Sequence, residues 1–217
     1  MKYKLVCFDL DGTLVDNVKF SWQIFHDYFQ TDKHRREDAK NRFFNGNITY
    51  IQWAEHDINL WREKNASKDE FIKAISHLHL MEGAMETIKE LKKKGIKLAI
   101  ISGSLNIILE HLIPDYNEYF NDVFISRIFF DSDGRISKVE ATEYDMEAKA
   151  LALKKIAERE KISLKETVFV GDYLNDKKAM EEAGLSIAFN CSEEELRKIA
   201  DLVVDRKDLR EILKFLV

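Results

Sequence analysis

Short apolar runs recur along the chain, each closed by a polar or glycine-bearing turn and followed by a stretch with helical spacing. The first, Leu-Val-Cys-Phe within residues 4–8, ends on an acidic turn. A near-continuous run of this kind predicts a strand buried on both faces of a parallel sheet. A second run covers 96–101 after a helical stretch over 83–94, with Gly95 between them as a helix C-cap. A third covers 167–170 after a predicted helix over 145–160, and shorter strands are predicted at 185–189 and 202–204. Strand and helix alternate, so this part of the chain reads as α/β with a parallel sheet.

Two segments break the alternation. From 16 to 79 the pattern is helical throughout, with apolar residues three and four apart (Phe20, Ile24, Tyr28; Ile51, Ala54, Ile58, Trp61; Phe71, Ile75, Leu78). All three tryptophans lie here. This predicts a small helical bundle inserted after the first strand, its aromatics serving mostly as core filler. The loop Phe44-Asn45-Gly46-Asn47, with Tyr50 beside it, is either an ordinary inter-helix turn or a segment facing substrate. The second irregularity spans 122–140, where Asp131-Ser132-Asp133-Gly134 separates two strand-like runs and predicts a hairpin.

Composition narrows the function. Of 217 residues, 45% are hydrophobic and 34% charged, with a net charge of -5 and a pI near 5.8, which disfavours non-specific nucleic-acid binding. Lys33-His34-Arg35-Arg36 reads as a solvated helix face, and His77 and His79 lack metal-ligand spacing. Two isolated cysteines, Cys7 and Cys191, suggest reduced thiols in a cytoplasmic protein, not a disulfide framework. No apolar stretch has the length of a signal peptide or a membrane span, so a soluble monomer or homodimer without membrane partners is expected.

Candidate chemistry clusters at strand ends, where open α/β sheets bind ligands. Asp9-Leu10-Asp11-Gly12-Thr13 places two carboxylates two residues apart, followed by a glycine for a tight turn and a hydroxyl. A polar turn would use similar residues. Ser102-Gly103-Ser104 ends the second core strand with a hydroxyl and a flexible backbone before a helix, which suits a phosphate cradle or a plain N-cap. Lys149 sits early in its helix, where a cation opposes the dipole unless it reaches an anion. Gly171-Asp172-Tyr173-Leu174-Asn175-Asp176 brings two more carboxylates and an amide to the same edge. Clustered acids repel unless a cation neutralises them, and hard oxygen ligands suit Mg²⁺.

Taken in order, Asp-Leu-Asp-Gly-Thr, a strand-final Ser-Gly, a lysine, and Gly-Asp-x-x-Asn-Asp resemble the signature of the haloacid dehalogenase superfamily over nearly the whole chain. The stretches around 81–103 and 149–184 are similar to its phosphoserine phosphatase-like branch. The resemblance implies a Rossmann-like parallel-sheet core (1–15 and 81–217) with an inserted helical cap (16–80). It also implies a Mg²⁺-dependent phosphatase acting on a small phosphorylated metabolite. In that scheme Asp9 is the nucleophile and Asp11 the acid and base. Mg²⁺ is held by the carboxylates of Asp9 and Asp172 and the main-chain carbonyl of Asp11. Thr13, Ser102, Gly103, Lys149 and Asn175 serve the phosphoryl group, while Asp176 supports Lys149 or the metal's water.

One departure bears on the substrate. Where the branch carries an early cap glutamate that binds the ammonium of phosphoserine, this chain has Val18, and the branch's cap arginine has no clear counterpart, Arg42 and Arg62 matching only in charge. Phosphoserine is therefore not the favoured substrate. A phosphotransferase or mutase, and a non-catalytic phosphate-binding regulator, remain alternatives. A carbon–halogen hydrolase is disfavoured by Asp11.

Overall fold

The computed structural model describes residues 2–142 and 148–217. β1 (Leu5–Phe8) is buried along its whole length. The chain then passes through the two-residue β2 (Val15–Asp16) into four helices, α1 (Ser21–Tyr28), α2 (Lys33–Phe44), α3 (Tyr50–Glu63) and α4 (Lys68–Ala74). It returns through β3 (His79–Leu80), antiparallel to β2, with Val15 opposite Leu80 and Asp16 opposite His79. There follow α5 (Ala84–Lys93), β4 (Lys97–Leu105), α6 (Asn106–Leu112), α7 (Tyr116–Tyr119), and the hairpin of β5 (Asp122–Phe130) and β6 (Ile136–Glu140). The remaining elements are α8 (Ala148–Glu160), β7 (Thr167–Gly171), α9 (Lys177–Glu182), β8 (Leu185–Phe189), α10 (Glu194–Ile199), β9 (Leu202–Val204) and α11 (Leu213–Leu216).

The seven-stranded sheet has the order β6-β5-β4-β1-β7-β8-β9. Every neighbouring pair is parallel except β5 with β6. Period-2 alternation sends Val6 and Phe8 into the larger apolar cluster and Leu5 and Cys7 into a second, formed with α8 and α9. Burial on both faces is why β1 has no polar residue. Register then fixes the site: Phe8 pairs with Ile100 on β4 and with Val170 on β7. The loops that leave these three strands therefore emerge side by side at the C-terminal edge of the sheet.

Turn chemistry sets the helix ends. Asp32 caps α2 by accepting from the N–H groups of His34 (2.9 Å) and Arg35 (3.1 Å), and Thr49 with Gln52 forms a capping box on α3. The hairpin turn holds Gly134 at φ +73°, a left-handed value that glycine adopts without strain. Its tip reaches the helical segment, where Lys68 N donates to Gly134 O at 2.9 Å.

Two expectations need adjustment, and a third falls outside the described residues. The segment after β1 is not helical throughout, because it begins and ends in the two-residue ribbon β2–β3, too short to leave a periodic trace. The predicted start of the α8 helix at Asp145 lies outside the described residues. The aromatics between residues 20 and 71 do not all fill the core: Phe25, Trp61 and Phe71 form a buried cluster, Trp22, Phe43 and Trp53 are half-buried, and Phe20, Tyr28 and Phe44 are exposed. Helical periodicity identifies an apolar face; it does not say that a partner covers it. Among the described residues no helix is long and apolar enough to cross a membrane.

Candidate active site

Asp9 follows the last residue of β1 and is almost wholly buried. Its Oδ1 accepts from Leu10 N at 2.7 Å, and its Oδ2 lies 2.8 Å from Lys149 Nζ. Lys149, in the first turn of α8, has no solvent exposure at all and reaches Asp176 Oδ1 at 2.7 Å. A buried ammonium persists only when paired and hydrogen-bonded, and two carboxylates meet that need. Asp176 in turn organises the loop after β7, its Oδ2 accepting from the N–H groups of Asp172 (3.0 Å) and Tyr173 (3.2 Å). Burial raises the Asp176 carboxyl above the ordinary range, against the pull of Lys149.

The loop after β1 touches the loop after β7. Thr13 Oγ1 donates to Asp172 Oδ1 at 3.3 Å. Gly12 sits at φ +73°, and a Cβ there would overlap the Asp172 carboxylate, lying 2.9 Å even from its Oδ1. Glycine is needed here for the backbone angle and for the close approach. Burial pushes the Asp172 carboxyl up to about 9, with Asp9 and Asp176 adding to the rise. Burial likewise pushes Asp11 up to about 6, opposed by hydrogen bonding from Ser21 and reinforced by Asp9. Asp11 Oδ2 accepts from Ser21 N at 2.8 Å. Its other oxygen is buried and has no hydrogen-bond partner among the described residues.

The edge of β4 completes the arrangement. Ser102 is buried, and its Oγ accepts from Ser104 N at 3.2 Å. The Ser104 and Ser21 hydroxyls lie 2.9 Å apart, and Trp22 Nε1 donates to Gly103 O at 2.9 Å. Asn175 lies in the single 3-10 turn Leu174–Asp176. The fold thus joins Asp9, Thr13, Asp172, Asp176 and Lys149 in one connected network, and beside it a second set ties Asp11 to Ser102 through Ser21 and Ser104, with Trp22 bonded to Gly103. Sequence reasoning missed Ser21 and Trp22 and left Ser104 between a phosphate cradle and a plain N-cap. The usable signal was modest: Ser21 opens the first helix after the acidic loop.

Carboxylate oxygens of Asp9, Asp172 and Asp176 all lie within 4.8 Å of one another. Three carboxylates face one lysine, which leaves excess negative charge in a site that water barely reaches. The rise at Asp172, set first by burial and then by the charges of Asp9 and Asp176, is the electrostatic consequence, and a divalent cation would relieve it. Asp9 and Asp176 are both engaged by Lys149 and by backbone N–H groups, whereas among the described residues Asp172 accepts only a long bond from Thr13, so Asp172 is the carboxylate with most capacity left for such an ion. The donor set is all oxygen, which fits a hard cation.

The comparisons agree with this geometry. A family model described as haloacid dehalogenase-like hydrolase matches residues 3–184. This chain belongs to that family. It is 36% identical to a phosphoserine phosphatase from Methanocaldococcus jannaschii, over 99% of this chain and 98% of the relative. A solved structure described as a substrate-bound phosphoserine phosphatase complex superposes with a TM-score of 0.76 at 32% identity, covering 99% of both chains. Another, described as a phospho-aspartyl intermediate analogue of phosphoserine phosphatase, gives 0.75 at 32% identity, again over 99% of both. Within the haloacid dehalogenase-like hydrolases the chain falls in the phosphoserine phosphatase-like branch, and it is a phosphoric monoester hydrolase.

Proposed function

We propose that this hydrolase cleaves a small-molecule phosphomonoester in two displacements, with Asp9 as nucleophile and Mg²⁺ as the cation in the carboxylate cluster. The observation that carries the reading is the buried Asp9–Lys149–Asp176 network beside Asp172, at a sheet edge shared by three strands. Asp9 and Asp172 would hold the ion with the Asp11 carbonyl. The ion would supply charge neutralisation for an anionic ester approaching an anionic nucleophile.

The chain's own residues do the rest. Lys149 fixes the Asp9 carboxylate. Asp9 attacks phosphorus and becomes an acyl phosphate, and the departing alkoxide takes its proton from Asp11. Asp11 is suited to both roles, since burial keeps its carboxyl protonated to higher pH than usual and one of its oxygens is uncommitted. It then accepts a proton from the water that cleaves the acyl phosphate, which frees phosphate and restores Asp9. Thr13, Ser102, the Gly103 main chain, Lys149 and Asn175 receive the phosphoryl oxygens. A solved relative described as a phospho-aspartyl intermediate analogue supports the covalent route. Residues 16–80 act as a cap that closes over the site and limits water, with the β2–β3 ribbon as its neck. Both cysteines are buried free thiols, which accords with a cytoplasmic enzyme.

Relatives named phosphoserine phosphatase support a small ester as substrate. Phosphoserine itself is disfavoured, because Val18 is buried in the apolar core and offers no carboxylate to an ammonium. The test is phosphate release from p-nitrophenyl phosphate with Mg²⁺. Activity should be lost with chelator and fall by about 10³-fold or more in Asp9→Asn, equivalent to about 4 kcal/mol of barrier. Undiminished turnover by a verified Asp9→Asn protein would remove the nucleophile.

A further inference from the structure

A cavity of about 890 Å³ lies between the helices α1–α3 and the loop after β7. It borders the site, because Trp22, which donates to Gly103 O, and Asn175, three residues past Asp172, both belong to its wall. Its size is within the range of about 300–1,000 Å³ that takes drug-sized ligands. Two kinds of side chain stand out in its wall. Phe44, Tyr50 and Trp53 present aromatic surface, with Tyr50 and Trp53 ring centroids 6.1 Å apart and Phe44 and Trp53 6.2 Å apart. Lys33, Arg36 and Lys40 of α2 add positive charge, and Asp27, Glu37 and Asp57 also line the cavity. Arg36 and Lys40 are partly engaged, facing Asp57 and Glu37 at 3.7 Å each. Lys33 makes no ion pair among the described residues.

These residues are poorly matched to a compact zwitterion. A serine-sized leaving group needs a carboxylate for its ammonium, and those in the wall are already engaged, Asp57 by His26 (3.0 Å) and Arg36 (3.7 Å), Glu37 by Lys40 (3.7 Å) and Asp27 by Gln23 (2.7 Å); such a group also buries little apolar surface. Aromatic walls instead gain from a flat, apolar body, by stacking or edge contact worth about 0.5–1.5 kcal/mol per ring beyond area burial. Cations on α2 gain from a second anion at the end away from the phosphate. The exposure of Phe44, at 58%, is then the exposure of a binding wall that a ligand would cover.

From this we infer that the preferred substrate is a phosphomonoester whose leaving group carries an aromatic ring and a second anionic group, the ring lying against Phe44, Tyr50 and Trp53 and the anion near Lys33 and Arg36. This rests on the phosphatase reading above and specifies the substrate class of the same site.

The test separates the two. Binding of 4-carboxybenzyl phosphonate, which cannot be hydrolysed, is measured by titration calorimetry with the Mg²⁺-loaded enzyme. It is compared with benzyl phosphonate and with the phosphonate analogue of phosphoserine. The carboxylated ring compound should bind at least tenfold more tightly than either. Trp53→Ala should weaken both ring compounds, and Lys33→Gln, an exposed change that leaves packing intact, should selectively weaken the carboxylated one. In parallel, kcat/KM for 4-carboxybenzyl phosphate, an alkyl ester like phosphoserine, should exceed that for phosphoserine by tenfold or more. Equal or tighter binding of the phosphoserine analogue, or no response to Lys33→Gln, overturns the inference even if p-nitrophenyl phosphate is still hydrolysed. Tight ring binding without any turnover would leave the ligand class of the cavity standing and sink the catalytic proposal, and with it the claim that the ligand is a substrate.

Discussion

Removing the Lys149 ammonium tests whether the carboxylate cluster is an electrostatic unit. Lys149 is fully buried and pairs with Asp9 at 2.8 Å and Asp176 at 2.7 Å. Lys149→Met preserves most of the side-chain volume but leaves two buried carboxylates without their cation. Breaking a buried pair from one side costs about 3–5 kcal/mol. For a chain of this size that corresponds to a fall in Tm of about 10 °C. Asp176→Asn is milder, since Asp9 still pairs with the lysine and the amide oxygen can still accept from Asp172 N and Tyr173 N; about 1.5–3 kcal/mol is expected for a lost charged hydrogen bond. In Lys149→Met/Asp176→Asn one of the stranded charges is gone, so the double variant should be more stable than the sum of the singles by about 1–3 kcal/mol. The assay is urea unfolding of the metal-free enzyme for the four proteins. Saturating Mg²⁺ should then recover part of the loss in Lys149→Met, because a cation among the same carboxylates replaces the missing charge. A coupling energy below about 0.5 kcal/mol, or Lys149→Met as stable as the parent, would show that the network is incidental.

Other perturbations probe the surrounding parts. Gly12→Ala forces a Cβ onto the Asp172 carboxylate at φ +73°, costing about 1–2 kcal/mol of backbone strain; the protein should fold, yet calorimetry should show Mg²⁺ affinity down at least tenfold, and parental affinity refutes the close approach. Asp172 and Asp11 have raised carboxyls, near 9 and 6, so the folded state binds more protons than the unfolded chain above the ordinary carboxyl range near 4. Their contribution is therefore lost as pH rises, and the Tm of the metal-free enzyme should decline between about pH 5 and 9 while added Mg²⁺ flattens that slope; a metal-free Tm that climbs across this interval contradicts the assignment. Trp22→Phe deletes the hydrogen bond to Gly103 O, with an expected cost of about 1 kcal/mol and a rise in KM larger than the change in kcat; unaltered KM would separate this tie from substrate binding.

The parallel core was legible because its strands are uninterrupted apolar runs. Residues 5–8 need no context to read as doubly buried, and Gly95, at φ +75°, does end α5 as the sequence suggested. The hairpin also followed from local chemistry, with Asp131 Oδ1 accepting from the N–H groups of Asp133 and Arg135. What escaped depends on distant pairings. The ribbon β2–β3 joins residues more than sixty positions apart and has no period of its own. Ser21 and Trp22 acquire meaning only because α1 packs over the end of β4, which places them against Asp11 and Gly103. Lys149 is one lysine among many in the sequence; its burial comes from α8 docking against β4 and α9, a tertiary fact. The exposed Phe44 was marked as a loop that either turns or faces ligand, and the cavity beside it is what gives that alternative substance.

The paired strands Val15–Asp16 and His79–Leu80 carry an architectural consequence. The polypeptide departs from and rejoins the sheet-bearing body at adjacent points, so everything between is an excursion whose length does not disturb the fold beneath it. Apart from Ser21 and Trp22, which touch Asp11 and Gly103, such an excursion can be exchanged without moving Asp9, Lys149, Asp172 or Asp176, provided the two crossings stay abreast. Selectivity and chemistry can thus diverge on separate evolutionary clocks: a new appetite needs a rewritten insert, not a rebuilt enzyme.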